Sequence, residues 1–206
     1  MITIINYNAG NLRNVQKVFD LYDCKTCISA SKDDILKSQG LILPGVGHFS
    51  DGMKNLENLG LVQAIQDAVF KKKIPILGIC LGMQLMSFVG FEGEEKSGLG
   101  LLQMDCKHLE IGDSSLRIPH IGWNSINVNS ASRLLKGVPD KSDFYFVHSY
   151  AVQTKDNSIV SSTSNYGKEF ISSIEFGNIF ATQFHPEKSQ KYGQIIIKNF
   201  VDIVNS

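Results

Sequence analysis

Apolar residues follow two different patterns in the first half of the chain. Short apolar runs at residues 2–6, 25–29, 40–43 and 74–79 have the length and composition of buried strands. Between these runs, apolar residues recur at helical spacing, as in Leu12, Val15, Val18, Phe19 and Tyr22, and in Leu61, Val62, Ile65, Ala68 and Val69. This alternation of strands and helices predicts a mostly parallel sheet that is covered by helices.

The second half has a different pattern. Residues 105–128 and 143–183 hold short alternating segments rich in β-branched and aromatic residues, such as FYFVHSYAV at 144–152 and NIFATQF at 178–184. They predict antiparallel or mixed strands. The stretch 192–204 again has a helical stripe. The chain shows no repeat and no low-complexity linker, so we predict one α/β domain over its 206 residues.

Composition and charge narrow the possible functions. Lys and Arg number 20, as do Asp and Glu, so the net charge is zero, which argues against a protein that binds nucleic acid through its overall field. No apolar run reaches the ~18 residues of a membrane span. The start, MITIINYNAGN, lacks the basic region of a signal peptide and is typical of a strand. We therefore expect a cytoplasmic protein without a membrane or nucleic-acid partner.

The four cysteines, Cys24, Cys27, Cys80 and Cys106, are too few for a disulfide scaffold. Cys24 and Cys27 form a C-x-x-C, but no second Cys or His pair follows at zinc spacing. We interpret them as ordinary strand cysteines, with metal or redox use as the alternative. The spacing of His120 and His148 does not indicate a metal site either. Since the sequence has no phosphate-binding or dinucleotide-binding glycine loop, we predict neither a metal nor an organic cofactor.

The strongest chemical signal is Gly78-Ile79-Cys80-Leu81-Gly82, which follows a buried strand and precedes a helix-like run. This is the pattern of a nucleophile elbow, in which glycines permit a tight turn and the nucleophile sits in strained backbone at its tip. The following helix would direct its N-terminus at the thiol and favour the thiolate. The alternative is that Cys80 is a small core residue.

A thiol nucleophile needs a base that is itself held in place. His185 follows the strand NIFATQF, Pro186 restricts the backbone after it, and Glu187 is near enough in sequence to accept a hydrogen bond from the imidazole. The alternative is that His185, like most histidines, is a surface residue or a satisfied core residue.

A tetrahedral intermediate also needs N–H donors for its oxygen. One donor should be the N–H of Leu81, directly after the nucleophile. The other should come from Pro44-Gly45-Val46-Gly47, where glycines let the main chain approach a ligand and rotate its peptides. A plain turn after a strand is the alternative for this segment.

Together the three segments resemble the class I, or triad, glutamine amidotransferases, which have PG-x-G, G-x-C-x-G-x-Q and H-P-E in this order and spacing. From about residue 1 to residue 204 the chain is most similar to the glutaminase subunits of imidazole glycerol phosphate synthases. The segments that support this similarity are Gly10-Asn11-Leu12-Arg13, Pro119-His120-Ile121-Gly122-Trp123-Asn124, Phe144-Tyr145-Phe146-Val147-His148-Ser149-Tyr150 and Gln183-Phe184-His185-Pro186-Glu187-Lys188-Ser189.

The resemblance implies a flavodoxin-like α/β fold and glutamine hydrolysis. Cys80 would form a thioester with glutamine, His185 would transfer the protons, and Glu187 would orient His185. By position, the residues of the oxyanion site would be Gly45, Val46, Gly47 and Leu81, and those of the glutamine pocket Gln84, His148 and Ser149. Those facing the partner subunit would be Asn11, Trp123, Tyr145 and Lys188.

The implied partner is a cyclase subunit, a HisF-like (β/α)₈ barrel that forms a heterodimer with the glutaminase. It receives the ammonia through a channel and makes imidazole glycerol phosphate and AICAR in histidine biosynthesis. We hypothesise that residues 44–47 are not set for the oxyanion until this partner and its ligand bind.

Two segments depart from the family pattern. Asn6-Tyr7-Asn8-Ala9-Gly10-Asn11 replaces the usual D-Y-G-x-G-N, and residues 88–95 differ from the commoner form. One alternative is therefore a paralogous glutaminase that supplies ammonia for the modification of surface sugars. A cysteine peptidase or glyoxalase-like relative and a non-catalytic binding module are the others.

Overall fold

The computed structural model describes residues 1–22, 24–112, 115–129 and 131–206. Its strands are β1 (Ile2–Ile5), β2 (Thr26–Ser29), β3 (Gly40–Gly45), β4 (Ile76–Cys80), β5 (Val89–Gly90), β6 (Lys96–Ser97), β7 (Asp105–His108), β8 (His120–Val128), β9 (Asp143–His148), β10 (Tyr150–Gln153), β11 (Val160–Tyr166), β12 (Lys168–Phe176) and β13 (Ile179–Thr182). Its α-helices are α1 (Leu12–Phe19), α2 (Lys32–Lys37), α3 (Phe49–Asn58), α4 (Val62–Gln66), α5 (Leu81–Leu85) and α6 (Gln190–Val204).

A nine-stranded sheet runs in the order β2-β1-β3-β4-β13-β12-β11-β8-β9 across the described residues. The pairings from β2 to β13 are parallel, and those from β13 to β9 are antiparallel. The predicted α/β fold, with a mostly parallel sheet and a mixed second half, is thus confirmed. β13, from the second half of the chain, pairs with β4 and so extends the parallel part.

Some elements differ from the prediction. The segment 144–152 divides at Ser149 into β9, in the large sheet, and β10, in a second sheet of order β10-β7-β5-β6. Apolar and aromatic residues stand on both sides of the break, so the composition of the segment predicts strand throughout and does not show the change of sheet. The predicted helix at 61–69 is α4 followed by a π-helical turn at Asp67–Lys71. No described helix is long and apolar enough to cross a bilayer.

The parallel strands are buried on both faces, which explains their continuous apolar runs. Along β1, Ile4 faces the layer formed with α1 and α6, whereas Ile5 faces the layer formed with α3, α4 and α5. Phe19 of α1 and Phe200 of α6 meet edge to face in the first layer, with ring centroids 6.4 Å apart. Helices therefore cover both sides of the strands that carry the turn into α5.

The turn from β4 into α5 depends on a missing side chain. A Cβ atom on Gly82 would lie 1.7 Å from the carbonyl oxygen of Leu43 on β3. The first turn of α5 can therefore lie against β3 only because residue 82 has no side chain. This contact holds α5 directly over the ends of the central strands.

We expect Gly82→Ala to lower the free energy of unfolding by about 3 kcal/mol, because the added methyl group meets main-chain atoms that cannot move aside. Gly177→Ala is the control, since Gly177 has a φ of +58° with open space around it and the variant should lose only about 1 kcal/mol of conformational strain. Urea unfolding measures both losses, and equal losses would contradict the proposed contact.

Candidate active site

Cys80 ends β4, and in the sheet it lies beside Gly45 of β3. Its φ of 53° and ψ of −107° lie outside the regions that residues with side chains normally occupy. The residue is only 4% exposed. Its Sγ is 3.7 Å from the carbonyl oxygen of Val147. A free thiol in strained backbone at a strand end is therefore held at the junction of β3, β4 and α5.

His185 follows β13, the other parallel neighbour of β4. Its backbone N–H donates to the carbonyl of Tyr145 over 2.9 Å. Ser189 Oγ donates to the carbonyl of His185 over 2.6 Å and accepts from the N–H of Tyr145 over 3.0 Å. The turn is thereby tied to β9 at its main chain.

The imidazole of His185 is held by Glu187. Its Nδ1 lies 2.8 Å from Glu187 Oε1, and both side chains are buried. Since a carboxylate only accepts, Nδ1 is the nitrogen that carries the hydrogen. The other ring nitrogen, Nε2, is buried and makes no hydrogen bond of good geometry within the described residues, although it lies on the side of the ring from which Cys80 acts. Nε2 is thus the atom left to exchange a proton with a reacting group.

Two neighbouring charges decide the protonation of His185. Burial by itself lowers the pKa of His185, but Cys80 and then Glu187, each through its charge and through hydrogen bonding, raise it by more. The net effect is a pKa above the ordinary value. An imidazolium beside a thiolate is the state in which a cysteine nucleophile is ready to attack.

A cavity of about 240 Å³ opens over Cys80. It is smaller than the ~300–1,000 Å³ pockets that hold drug-sized ligands, so it suits a small metabolite. The predicted site residues among its lining are Val46, Gly47, Cys80, Leu81, Gln84, His148 and Ser149. Gly45, His185 and Glu187 are not part of the lining, and Gly45 lies beneath it as the sheet neighbour of Cys80.

Glu92 also lines this cavity, and the sequence analysis did not find it. Its Oε2 accepts from the N–H of Phe49 at the start of α3 over 2.8 Å, and its Oε1 lies 3.0 Å from His48 Nδ1. The carboxylate is thus fixed at the cavity wall, where it can bind an ammonium group. No local signal marks it, because its partners are more than forty positions away in sequence.

Gln84 has a bonded amide at the cavity wall. Its Nε2 donates to the carbonyl of Tyr150 over 2.9 Å and to Gln183 Oε1 over 3.2 Å. Gln183, which the sequence analysis noted only as part of a motif, in turn directs its Nε2 at Cys80 Sγ over 3.7 Å. The two amides therefore link the nucleophile to the start of β10.

His120 of β8 and His148 of β9 form a second buried pair, and the two residues lie opposite each other in the paired strands. His148 Nδ1 lies 2.9 Å from the carbonyl of Tyr150 and must donate to it, so His148 Nε2 accepts from His120 Nδ1 over 3.1 Å. Burial lowers the pKa of His148 to about 3 and that of His120 to about 4. Both rings are thus neutral at physiological pH.

Of the other cysteines, Cys106 is buried near the site, where burial and then the charges of Glu92 and Cys80 raise the pKa of its thiol. Cys24 and Cys27 are free thiols, and Cys27 Sγ is 3.4 Å from Thr3 Oγ1. In the part of the chain that the structure describes, no three His, Cys, Asp or Glu side chains are grouped as metal ligands.

Comparisons with known proteins bear on this arrangement. The family model described as "Glutamine amidotransferase class-I" matches residues 3–204. The imidazole glycerol phosphate synthase subunit HisH 1 of Campylobacter jejuni (strain RM1221) is 45% identical over 98% of this chain and 99% of its own. The subunit HisH of Moorella thermoacetica is 43% identical over 98% of this chain and 95% of its own. The subunit HisH 2 of Pseudomonas aeruginosa is 40% identical over 99% of this chain and 100% of its own.

Solved structures agree in fold. A chain in the structure of PurLQS from Thermotoga maritima has a TM-score of 0.73 at 18% identity and covers 98% of this chain and 97% of that one. A crystal structure of a glutamine amidotransferase has a TM-score of 0.78 at 14% identity over the full length of both chains. At these identities the likeness concerns the fold alone.

The chain belongs to the class-I glutamine amidotransferase family. The resemblance seen in the three sequence motifs is thereby confirmed, and the protein is a glutamine amidotransferase enzyme. The matches favour this family over a cysteine peptidase, a glyoxalase-like relative or a binding module.

Three of the four residues predicted to face a partner form one surface cluster in the amidotransferase: Trp123, Tyr145 and Lys188. Trp123 of β8 is 49% exposed and meets the ring of Tyr145 on β9 edge to face, with centroids 6.0 Å apart. Lys188 Nζ lies 5.6 Å from the centroid of the Tyr145 ring. Asn11 instead caps α1, where its Oδ1 accepts from the N–H of Asn14 over 3.2 Å. It lines an open cleft with Val46.

The stability of the amidotransferase should fall as the pH drops from about 6.5 towards 4. In that window the unfolded chain protonates His120 and His148, whose ordinary pKa is about 6.5, whereas their lowered pKa keeps the folded pair neutral. Between pH 7 and pH 5, the unfolding free energy of the wild type should fall by about 1–2 kcal/mol more than that of His148→Gln. Urea unfolding across this range measures it. Parallel pH profiles would show that His148 does not have a lowered pKa.

Proposed function

We propose that this amidotransferase hydrolyses L-glutamine through a thioester on Cys80 and delivers the ammonia to a separate cyclase subunit. Its full-length similarity to HisH proteins makes it the glutaminase subunit of an imidazole glycerol phosphate synthase. The observation that supports the chemistry best is the strained, buried Cys80 together with an imidazole that Glu187 holds at 2.8 Å.

In the first half-reaction, Cys80 Sγ attacks the side-chain amide carbon of glutamine as a thiolate. The carbon–sulfur bond forms, and the tetrahedral intermediate collapses as His185 Nε2 gives its proton to the amide nitrogen. The carbon–nitrogen bond then breaks, ammonia leaves, and a thioester remains on Cys80. The tautomer that Glu187 imposes on His185 keeps Nε2 available for this transfer.

In the second half-reaction, water attacks the thioester. His185 Nε2, now neutral, accepts a proton from the water, and the carbon–sulfur bond breaks to release glutamate and restore the Cys80 thiolate beside the imidazolium. Burial of both groups excludes bulk water from the rest of the site, which strengthens these interactions.

The oxyanion of both intermediates would be bound by main-chain N–H groups. Leu81 follows the nucleophile directly, and Gly45, Val46 and Gly47 continue the strand beside it. Gly47 has a φ of +130° and open space around it, so the segment can change its main-chain conformation there. This freedom supports the hypothesis that partner binding sets the oxyanion site.

Glutamine itself would be held by side chains of the cavity wall. Gln84, His148 and Ser149 line it as predicted binding residues, and the Glu92 carboxylate suits the α-ammonium group of the substrate. The neutral His148 adds no competing positive charge at this wall.

The partner would be a HisF-like (β/α)₈ cyclase subunit bound in a heterodimer. Trp123, Tyr145 and Lys188 offer two aromatic rings and a cation on one surface, and Asn11 lies beside a cleft that reaches Val46. Aromatic residues are enriched where proteins meet. A cytoplasmic location and one domain over residues 1–206 belong to the same proposal, since Cys80 must remain a free thiol.

The proposal is tested by measuring glutamate and ammonia release from glutamine. The wild type, Cys80→Ala and the control Cys27→Ala would each be assayed alone and with the cyclase subunit plus its ribonucleotide substrate. We expect release only in the complex with ligand, a loss of at least about 1,000-fold in Cys80→Ala, and normal release in Cys27→Ala. Release that ignores the cyclase would instead favour the paralogue that supplies ammonia for surface sugars.

Glu187→Gln should lower kcat for glutamine hydrolysis by about 100- to 10,000-fold with little change in KM, because the amide no longer stabilises the imidazolium. Glu175→Gln is the matched control, since this partly buried carboxylate accepts from Arg133 Nε over 2.6 Å and is not part of the cavity lining. It should lose stability but keep kcat. A wild-type kcat in Glu187→Gln would exclude Glu187 from the catalytic group.

A further inference from the structure

Tyr7 carries a buried hydroxyl group that the catalytic scheme does not use. The side chain follows β1, is fully buried and packs in the apolar layer that contains Leu81 and Phe49. Its hydroxyl oxygen has no hydrogen-bond partner among the described residues. Buried polar groups are nearly always paired in folded proteins, so an unpaired one calls for an explanation.

The location of this hydroxyl group suggests the explanation. Four buried side-chain atoms lack a partner in the described structure, and two of them are His185 Nε2 and Glu187 Oε2 at the catalytic pair. The hydroxyl of Tyr7 is a third, and it lies against the main chain of Gly45. A Cβ atom placed on Gly45 would be only 2.0 Å from the Tyr7 oxygen.

Gly45 begins the segment whose N–H groups we assign to the oxyanion. The main chain of Gly45 also packs against Gly10, where an added Cβ would come within 3.1 Å of Gly45 Cα. The Tyr7 hydroxyl group is therefore close to the segment that must adopt the catalytic conformation, yet it makes no hydrogen bond in the conformation seen here.

The Tyr7 hydroxyl group can act as a donor. Burial, and then the charge of Cys80, raise the pKa of Tyr7, so the phenol keeps its proton. When a peptide unit rotates so that its N–H faces the substrate oxygen, its carbonyl oxygen turns to the opposite side, because the unit is planar. A carbonyl that turns into a buried environment needs a donor there.

We propose that Tyr7 is a positioning residue whose O–H donates to a main-chain carbonyl of residues 45–47 and so stabilises the conformation in which this segment binds the oxyanion. The inference rests on the oxyanion role proposed above for that segment. The unpaired hydroxyl destabilises the resting conformation relative to the catalytic one, so Tyr7 shifts the balance between them towards catalysis.

Tyr7→Phe removes only the hydroxyl group and separates this role from a structural one. In the complex with cyclase and ribonucleotide, we expect kcat for glutamine hydrolysis to fall about ten-fold while KM changes less than two-fold. The melting temperature of the isolated chain should be equal to or higher than that of the wild type, because the resting state loses an unpaired polar group.

Tyr22→Phe is the matched control. The hydroxyl of Tyr22 donates to the carbonyl of Gln194 over 3.1 Å, far along the chain from the cavity residues. Its removal should lower the melting temperature slightly and leave kcat unchanged.

Two results would overturn the proposal for Tyr7. A wild-type kcat in Tyr7→Phe would show that the hydroxyl has no part in catalysis. A lower melting temperature in the isolated variant would show that the hydroxyl is already bonded in the resting state, and this measurement needs no partner. Failure of the wild-type complex to release ammonia would instead refute the cyclase as partner.

Discussion

The main chain at Cys80 is the constraint on which the rest of the site depends. A residue with a side chain at a φ of 53° and a ψ of −107° costs on the order of 1–3 kcal/mol, so the surrounding structure must hold it in place. Strand β4 fixes one side of the turn within a parallel sheet, and the close contact of Gly82 with Leu43 fixes the other. The thiol is thereby held at the strand end, between β3, which leads into the proposed oxyanion segment, and β13, which leads into His185.

The same side chain type adopts opposite protonation states in two neighbouring environments. Among the described residues, no carboxylate pairs with His120 or His148, so burial keeps both rings neutral. The two rings are hydrogen-bonded to each other, and His148 lines the cavity. His185 is also buried, but Glu187 and Cys80 supply negative charge beside it and raise its pKa. Burial therefore determines the state of a histidine only together with the charges that accompany it.

The motifs were accessible from sequence because their interactions are local. Cys80 and Gly82 belong to one turn, and the hydrogen bond between His185 and Glu187 joins residues two positions apart. Patterns of this kind depend on short-range sterics and hydrogen bonding, which a few neighbouring residues decide. The parallel strands of the first half were equally visible, since burial on both faces requires continuous apolar runs.

The tertiary structure decided those features of the site that depend on long-range contacts. Glu92 is fixed at the cavity wall by a hydrogen bond from the N–H of Phe49, and Tyr7, which follows β1, lies against Gly45 of β3, so no local pattern marks either residue. The change of sheet at Ser149 was not predicted because apolar and aromatic residues continue on both sides of it, while the two halves join different sheets. The sequence by itself thus determined the fold class and the family, and it predicted Cys80, His185 and Glu187 as the reactive residues. Only the packing of distant strands decided which polar groups surround them and which are left without a partner.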